Sequence, residues 1–256
     1  MNVPFETSAT LAAIPRVAHG FFGRRGGVSS GAHAALNISE TSGDDFALVA
    51  RNRALATAQL GFDPAALTTL TQTHSSTVIT LTAPPSPGER REGDAMVTNV
   101  PGAALGILTA DCAPILLADA EAGVIAACHA GWKGAAADIA HDAVLAMVAL
   151  GADPGRILAA IGPAISLDNY EVGPDFAADL IARHRRAADR VLTPAGGKEH
   201  FDLPGFIADQ LRDAGIGSVE SVGSCTYAAP ERYFSHRYAT HHGTTTGRQI
   251  AIIGLR

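Results

Sequence analysis

Residues 105–134, LGILTADCAPILLADAEAGVIAACHAGWKG, hold two apolar runs parted by a short Ala/Glu/Gly turn. Such runs, rejoined within a few residues, read as buried strands paired in an antiparallel hairpin. Taking 112–118 and 124–129 as the strands, with the turn inside Ala120-Glu121-Ala122-Gly123, places Cys112 opposite His129 or its immediate neighbour. Directly opposed Cβ atoms lie roughly 4.5–5.5 Å apart, close enough for one atom to bridge the thiol and the ring. Side chains alternate along a strand, so Cys128 points away from His129 and packs as a small core residue. The polar interruption Thr109-Ala110-Asp111-Cys112 and Pro114 break the first strand, and His129 ends the second at Ala130-Gly131-Trp132-Lys133-Gly134. Both side chains stand where strands stop, a place where active sites commonly form.

A thiolate beside an imidazole has two chemical uses, and the residues alone leave both open. One is a Cys–His nucleophile pair, in which His129 lowers the thiol pKa. The other is metal ligation, which needs a third donor. His74, inside the polar segment TQTHSST, is the best candidate. A Cys–His–His set leaves a fourth zinc position open, as catalytic zinc sites do.

The rest of the chain frames a compact α/β enzyme. Of its 256 residues, 47% are apolar and 17% charged, which excludes a disordered or fibrous chain. A formal charge of −6 gives no reason to expect nucleic acid or an anionic membrane as partner. Three cysteines are too few, and odd in number, for a disulfide framework. No signal peptide and no apolar run of ~18 residues is visible, so a cytoplasmic protein with reduced thiols is expected. VAHGFF (17–22), TTLTQTHSSTVITL (68–81) and the final GRQIAIIGL read as strands. Helices are expected over 44–60, about 134–150, 174–189 and 203–214, the last between Asp202 as N-cap and Gly215 as stop. APPSPGERREGD (83–94) is the clearest loop. No linker divides the chain, no repeat is visible, and neither dinucleotide nor P-loop fingerprints occur, so one domain with a mixed sheet is favoured over a Rossmann fold.

TQTHSST, GDAMVTNVPGAALGILTADCAPILLAD, GVIAACHAGWKG, AAIGPAISLDNYEVGPDF, FDLPGF and CTYAAPERYFSHR…GRQIAIIGL together resemble the YfiH family, from about residue 17 to the end. Members of that family carry three labels: laccase-like multicopper polyphenol oxidase, purine nucleoside phosphorylase and peptidoglycan editing factor. The resemblance implies a single α/β domain over 1–256, built as a layered mixed-sheet sandwich and related to toxins that use a Cys–His pair. It implies metal ligands at His74, Cys112 and His129, with zinc as the metal and copper as an alternative. The implied activities are phosphorolysis of adenosine, inosine and methylthioadenosine, together with adenosine deamination. The chain departs from the family pattern in three places: Thr73 and Ser75 flank His74, Ala164 and Asp168-Asn169 replace frequent cysteines, and Ser235-His236-Arg237-Tyr238 keeps only one of two arginines.

Substrate contacts are expected from four residues. Arg24, which matches a family arginine, lies in Phe22-Gly23-Arg24-Arg25-Gly26-Gly27, where glycine amides and guanidiniums suit phosphate. Asn37 and Gln72 are placed to hydrogen-bond ribose or base, and Arg237 is the arginine retained near the C-terminus. Gly131-Trp132-Lys133-Gly134, opening the next helix, is a second anion-binding stretch. His184, the His241-His242 pair, Trp132 and Cys225 read as boundary, solvated or packing residues. Three rivals to the phosphorylase remain: a copper oxidase, a metal-free Cys112–His129 hydrolase acting on a cell-wall precursor, and a non-catalytic metal module.

Overall fold

A computed structural model describes residues 2–83 and 91–256. The expected hairpin is there: Ala113–Asp119 pairs antiparallel with Val124–Ala130, and Gly123 takes the positive φ of 64° that its turn demands. These two strands form the middle of a six-stranded mixed sheet. Its order is Ser218–Ser221, Leu158–Ile161, Ala113–Asp119, Val124–Ala130, Ala95–Thr98, Val78–Leu81. A second, five-stranded sheet runs Phe5–Glu6, Val17–Phe22, Gln249–Leu255, Ala104–Thr109, Leu67–Thr69. A small three-stranded sheet joins Glu171–Val172, Glu199–Phe201 and Val191–Leu192.

Strand alternation sorts the core into layers. Leu116, Ala118, Ile125 and Ala127 face the five-stranded sheet and pack on Phe21, Ile107 and Ile253. Ile115, Leu117, Ala126 and Cys128 face the other way, against the helices Ile139–Ala149 and Leu203–Asp213. The helix Phe46–Gln59 covers the outer side of the five-stranded sheet, with Ala56 packed near Ile250 and Ile252. The result is a helix–sheet–sheet–helix sandwich, the layered mixed-sheet α/β architecture. Each fully buried Leu or Ile contributes roughly 1.5–3 kcal/mol, so the two-sided burial of the central hairpin anchors the molecule.

Four sequence expectations are corrected. TTLTQTHSSTVITL is two strands, one in each sheet, and His74 sits in the turn between them at φ 60°. Both halves alternate, so the pattern looked continuous across the change of sheet. The polar interruption before Cys112 is likewise a crossover: the chain leaves the five-stranded sheet at Thr109 and enters the six-stranded one at Ala113. His129 pairs with Pro114 and Ala130 with Ala113, so continuing the register sets Cys112 across from Gly131. Cys112 and His129 are therefore diagonal neighbours on one face, while Cys128 points into the opposite core as expected. The helix over 134–150 is broken at Asp138, which is left-handed at φ 63°, into Trp132–Ala136 and Ile139–Ala149. The helix expected over 174–189 is α-helical only over Pro174–Arg183, continuing as a 3₁₀ segment Arg185–Asp189. The Asp202 cap holds as read: its side chain accepts from the Gly205 amide, and Gly215 ends the run at φ 90°. Most of the 83–94 loop falls outside the described residues.

Candidate active site

The two crossovers between sheets meet at the end of the sandwich. One delivers His74 and the other Cys112, while His129 arrives at the tip of its strand. Their donor atoms all lie within 4.8 Å of one another. Cys112 Sγ is 3.8 Å from His74 Nε2, and the two imidazoles stand edge to face at 4.8 Å. Gly131, across from Cys112, makes this convergence possible. A Cβ there would come within 2.9 Å of both Cys112 Sγ and His74 Cδ2.

Asp94, which the sequence reading passed over, holds the group in place. Fully buried at the head of its strand, it accepts hydrogen bonds from the amides of Thr73, His74 and Ser75 and from Ser75 Oγ. It also accepts from Thr73 Oγ1 and, at 2.8 Å, from His129 Nδ1. A carboxylate cannot donate, so Nδ1 carries the proton and Nε2 of His129 is left as the ligating or accepting atom. One side chain thus sets both the His74 turn and the His129 tautomer. Its only signal in the sequence is a lone acid, after Gly93, opening the buried run Ala95–Thr98.

The electrostatics follow from burial and contact. Burial alone would raise Asp94, but the bonds from His129 and Ser75 outweigh it and hold the carboxyl well below its usual range. Burial would also raise Cys112, yet the charge and hydrogen bonds of His129, together with His74, bring it down. Burial opposes protonation of His129, and the Cys112 thiolate and Asp94 raise it. Without an ion the two form a thiolate–imidazolium pair, and a bound metal would take the place of the Nε2 proton. Cys128 shows the contrast, because burial with no charged partner pushes its thiol up.

Two nitrogens and a thiolate, one ring braced by a carboxylate, match the donor set of a three-ligand metal site with an open position. Among the described residues this is the one cluster of three such side chains placed to hold an ion.

Two cavities share His74, Ala110, Cys112 and His236. The first, about 430 Å³, is walled by Ser39, Thr41, Gln72, Leu108 and Arg248. The second, about 390 Å³, is walled by Trp132, Ile165, Tyr170, Leu203 and Arg237. Asp111, just before Cys112, ties the wall of the second together. It sits at φ 86°, and its carboxylate accepts from Thr226 Oγ1 at 2.7 Å and the Arg237 amide at 2.6 Å.

Of the expected substrate residues, Gln72 and Arg237 line the cavities. The Gln72 amide is doubly bonded to the Leu108 backbone, extending the sheet edge toward His74. Arg237 lies over Tyr170 and donates to the Glu171 carbonyl. Asn37 is fully buried, its amide engaged by Ser39, Ser42, Asp44 and the Arg248 backbone. Arg24 is not brought to the site: its guanidinium donates to the carbonyls of Ala34, Pro230 and Ala32 and lies on Phe234. Trp132 does not seal the core. It is 38% exposed and stands edge-on to Phe176. Besides Asp94, the residues that sequence reasoning missed are Asp111, Tyr170, His236 and Arg248.

Residues 18–256 match the family model described as multi-copper polyphenol oxidoreductase laccase. The chain belongs to this family. It is 45% identical over 93% of its length, and 89% of the relative's, to a Deinococcus radiodurans protein named purine nucleoside phosphorylase. It superposes on a Neisseria meningitidis DUF152 protein with a TM-score of 0.86 at 31% identity, covering 100% of this chain and 99% of that one. YlmD from Geobacillus stearothermophilus gives a TM-score of 0.87 at 27% identity, with 100% and 98% covered. No helix among the described residues is long and apolar enough to cross a membrane.

Proposed function

We propose that the protein is a zinc-dependent purine nucleoside enzyme that phosphorolyses adenosine, inosine and methylthioadenosine and also deaminates adenosine. The observation that carries this reading is the meeting of two cavities at His74 and Cys112, beside His129. One offers aromatic and apolar walls, Tyr170, Trp132, Ile165 and Leu203, suited to a purine. The other offers hydroxyls and a guanidinium. The Deinococcus radiodurans relative's name supports the same class of substrate.

In phosphorolysis a phosphate oxygen bonds to C1′ of the ribose, the C1′–N9 bond breaks, and its electron pair leaves with the purine, which takes up a proton. His74, Cys112 and His129 would hold a zinc ion, which would supply a Lewis acid and, for deamination, an acidified water. The chain's own contribution is positioning. Asp94 keeps the proton on His129 Nδ1, Asp111 fixes the backbone that presents Cys112, and the aromatic wall excludes water from the base. Polyphenol oxidation by several coppers would need further clusters of histidines, and among the described residues only this three-donor group is assembled.

The test is a product assay on metal-quantified protein with adenosine or inosine, with and without phosphate. Phosphate-dependent release of base and ribose 1-phosphate is expected. Absence of turnover with zinc fully loaded would sink this reading and favour the hydrolase acting on cell-wall precursors, with Cys112 as nucleophile.

A further inference from the structure

The arginines near the site are held differently. Each nitrogen of the Arg24 guanidinium donates to a backbone carbonyl, and Arg53 pairs with Glu40 at 2.9 Å. Arg237 makes a single side-chain hydrogen bond, to the Glu171 carbonyl, and lies over the Tyr170 ring. Arg248 has neither a ring beneath it nor a carboxylate beside it among the described residues. Half-buried on the cavity wall, its guanidinium makes one hydrogen bond among the described residues, from Nη1 to its neighbour's carbonyl, Gly247 O, at 2.9 Å. No carboxylate pairs with it among the described residues. Cys112 and Asp111 act on it from farther off, but no salt-bridge partner desolvates with it, and its planar fork matches a tetrahedral oxyanion.

Its surroundings suit the same ligand. Arg248 and His236 stand between the 430 Å³ cavity that reaches Cys112 and a neighbouring one of about 320 Å³. That neighbour is walled by the hydroxyl residues Ser39, Thr41, Thr240, Thr244 and Thr246. The His236 ring has no hydrogen-bond partner among the described residues. Buried Asn37 fixes the position of the arginine: its Oδ1 accepts the Arg248 amide at 2.9 Å, and a Cβ at Gly247 would meet that oxygen at 2.7 Å. The glycine lets the strand press against Asn37, and the arginine is aimed from there.

We infer that Arg248, with His236 and the hydroxyls of Ser39 and Thr41, seats the inorganic phosphate co-substrate on the side of the metal-ligand group opposite the purine, and that Asn37 is a positioning residue for this seat. The inference rests on the phosphorylase reading. Phosphate held here can approach C1′ at the mouth the two cavities share, while the base departs toward Tyr170. The role expected for Arg24 falls to Arg248.

Two measurements on metal-loaded wild type, Arg248→Gln and Arg248→Lys test it. Equilibrium dialysis against radiolabelled inorganic phosphate is expected to show binding in wild type, loss in Arg248→Gln and partial recovery in Arg248→Lys. In inosine cleavage, Arg248→Gln is expected to raise the KM for phosphate at least tenfold and leave the KM for inosine within twofold. A folded Arg248→Gln protein with wild-type metal content, phosphate binding and phosphate KM would overturn the seat. If wild type cleaves no nucleoside, the phosphorylase reading fails, and dialysis still decides the seat. Binding that depends on Arg248 upholds it as an oxyanion site, and binding that is absent or indifferent to the substitution removes it.

Discussion

Asp94 and Arg24 are mirror images with different consequences. Each is a charged side chain in a signature segment that knits backbone together, Asp94 by accepting from three amides and Arg24 by donating to three carbonyls. The Asp94 node also accepts from His129 and so aims two imidazoles at one thiol. The Arg24 node closes a loop against Phe234 and leaves none of its guanidinium nitrogens over. A polar residue in a telling motif therefore acts on substrate only if its hydrogen-bonding capacity is not already satisfied by the chain. Unfilled capacity on the cavity wall is the ground for proposing Arg248, and Arg24 lacks it.

This contrast can be broken by substitution. Cys112→Ala is expected to have the largest effect, with no stoichiometric metal bound and no base release detected; retained metal would refute the ligand set. Asp94→Asn is next. It leaves His129 without a carboxylate partner and is expected to cost 10–100-fold in metal affinity and about 3 kcal/mol of stability, measured by denaturant titration. The same carboxyl gives a pH dependence. Its folded pKa lies below the unfolded value of about 3.9, so its stabilisation is complete above that value and is lost as pH falls below it. The acid limb of the stability curve should be shallower in Asp94→Asn, and an unchanged limb would show that Asp94 is not buried as a carboxylate.

Gly131→Ala sharpens the comparison from the other side. The added methyl would press on Cys112 Sγ and His74 Cδ2, so metal affinity is expected to fall about tenfold with the fold intact by circular dichroism. Arg24→Gln should do the reverse, lowering stability by about 1–3 kcal/mol through its orphaned carbonyls while metal content stays at the wild-type level. Loss of metal in Arg24→Gln would erase the distinction between the two nodes.

Much of the scaffold was legible because it obeys local rules. The strands at 17–22 and 249–255, the Asp202 cap and the Gly215 stop follow from nearby residues. Alternation turned Cys128 away from His129, and pairing about the turn brought Cys112 near His129, although the register makes the two diagonal rather than directly opposed. The polar segment TQTHSST marked His74 as the best third donor, the resemblance implied the same residue, and the structure brings it within reach of the other two. The change of sheet within 68–81 was hidden because each half alternates like one strand. The break at Asp138 was hidden because apolar spacing continues through it.

By itself, the sequence determined which side chains are buried and on which side of their strands, since pleat and helix period are properties of the backbone. Tertiary structure decided which polar groups remain free to act. Asp94 can orient the metal-ligand group only because amides from 73–75 and a ring from 129 converge on it, and Arg248 is presented to the cavity only because Asn37, over 200 residues away, holds its backbone. Whether a donor is satisfied depends on every neighbour that can reach it, and those neighbours are assembled only when the two sheets close on one another.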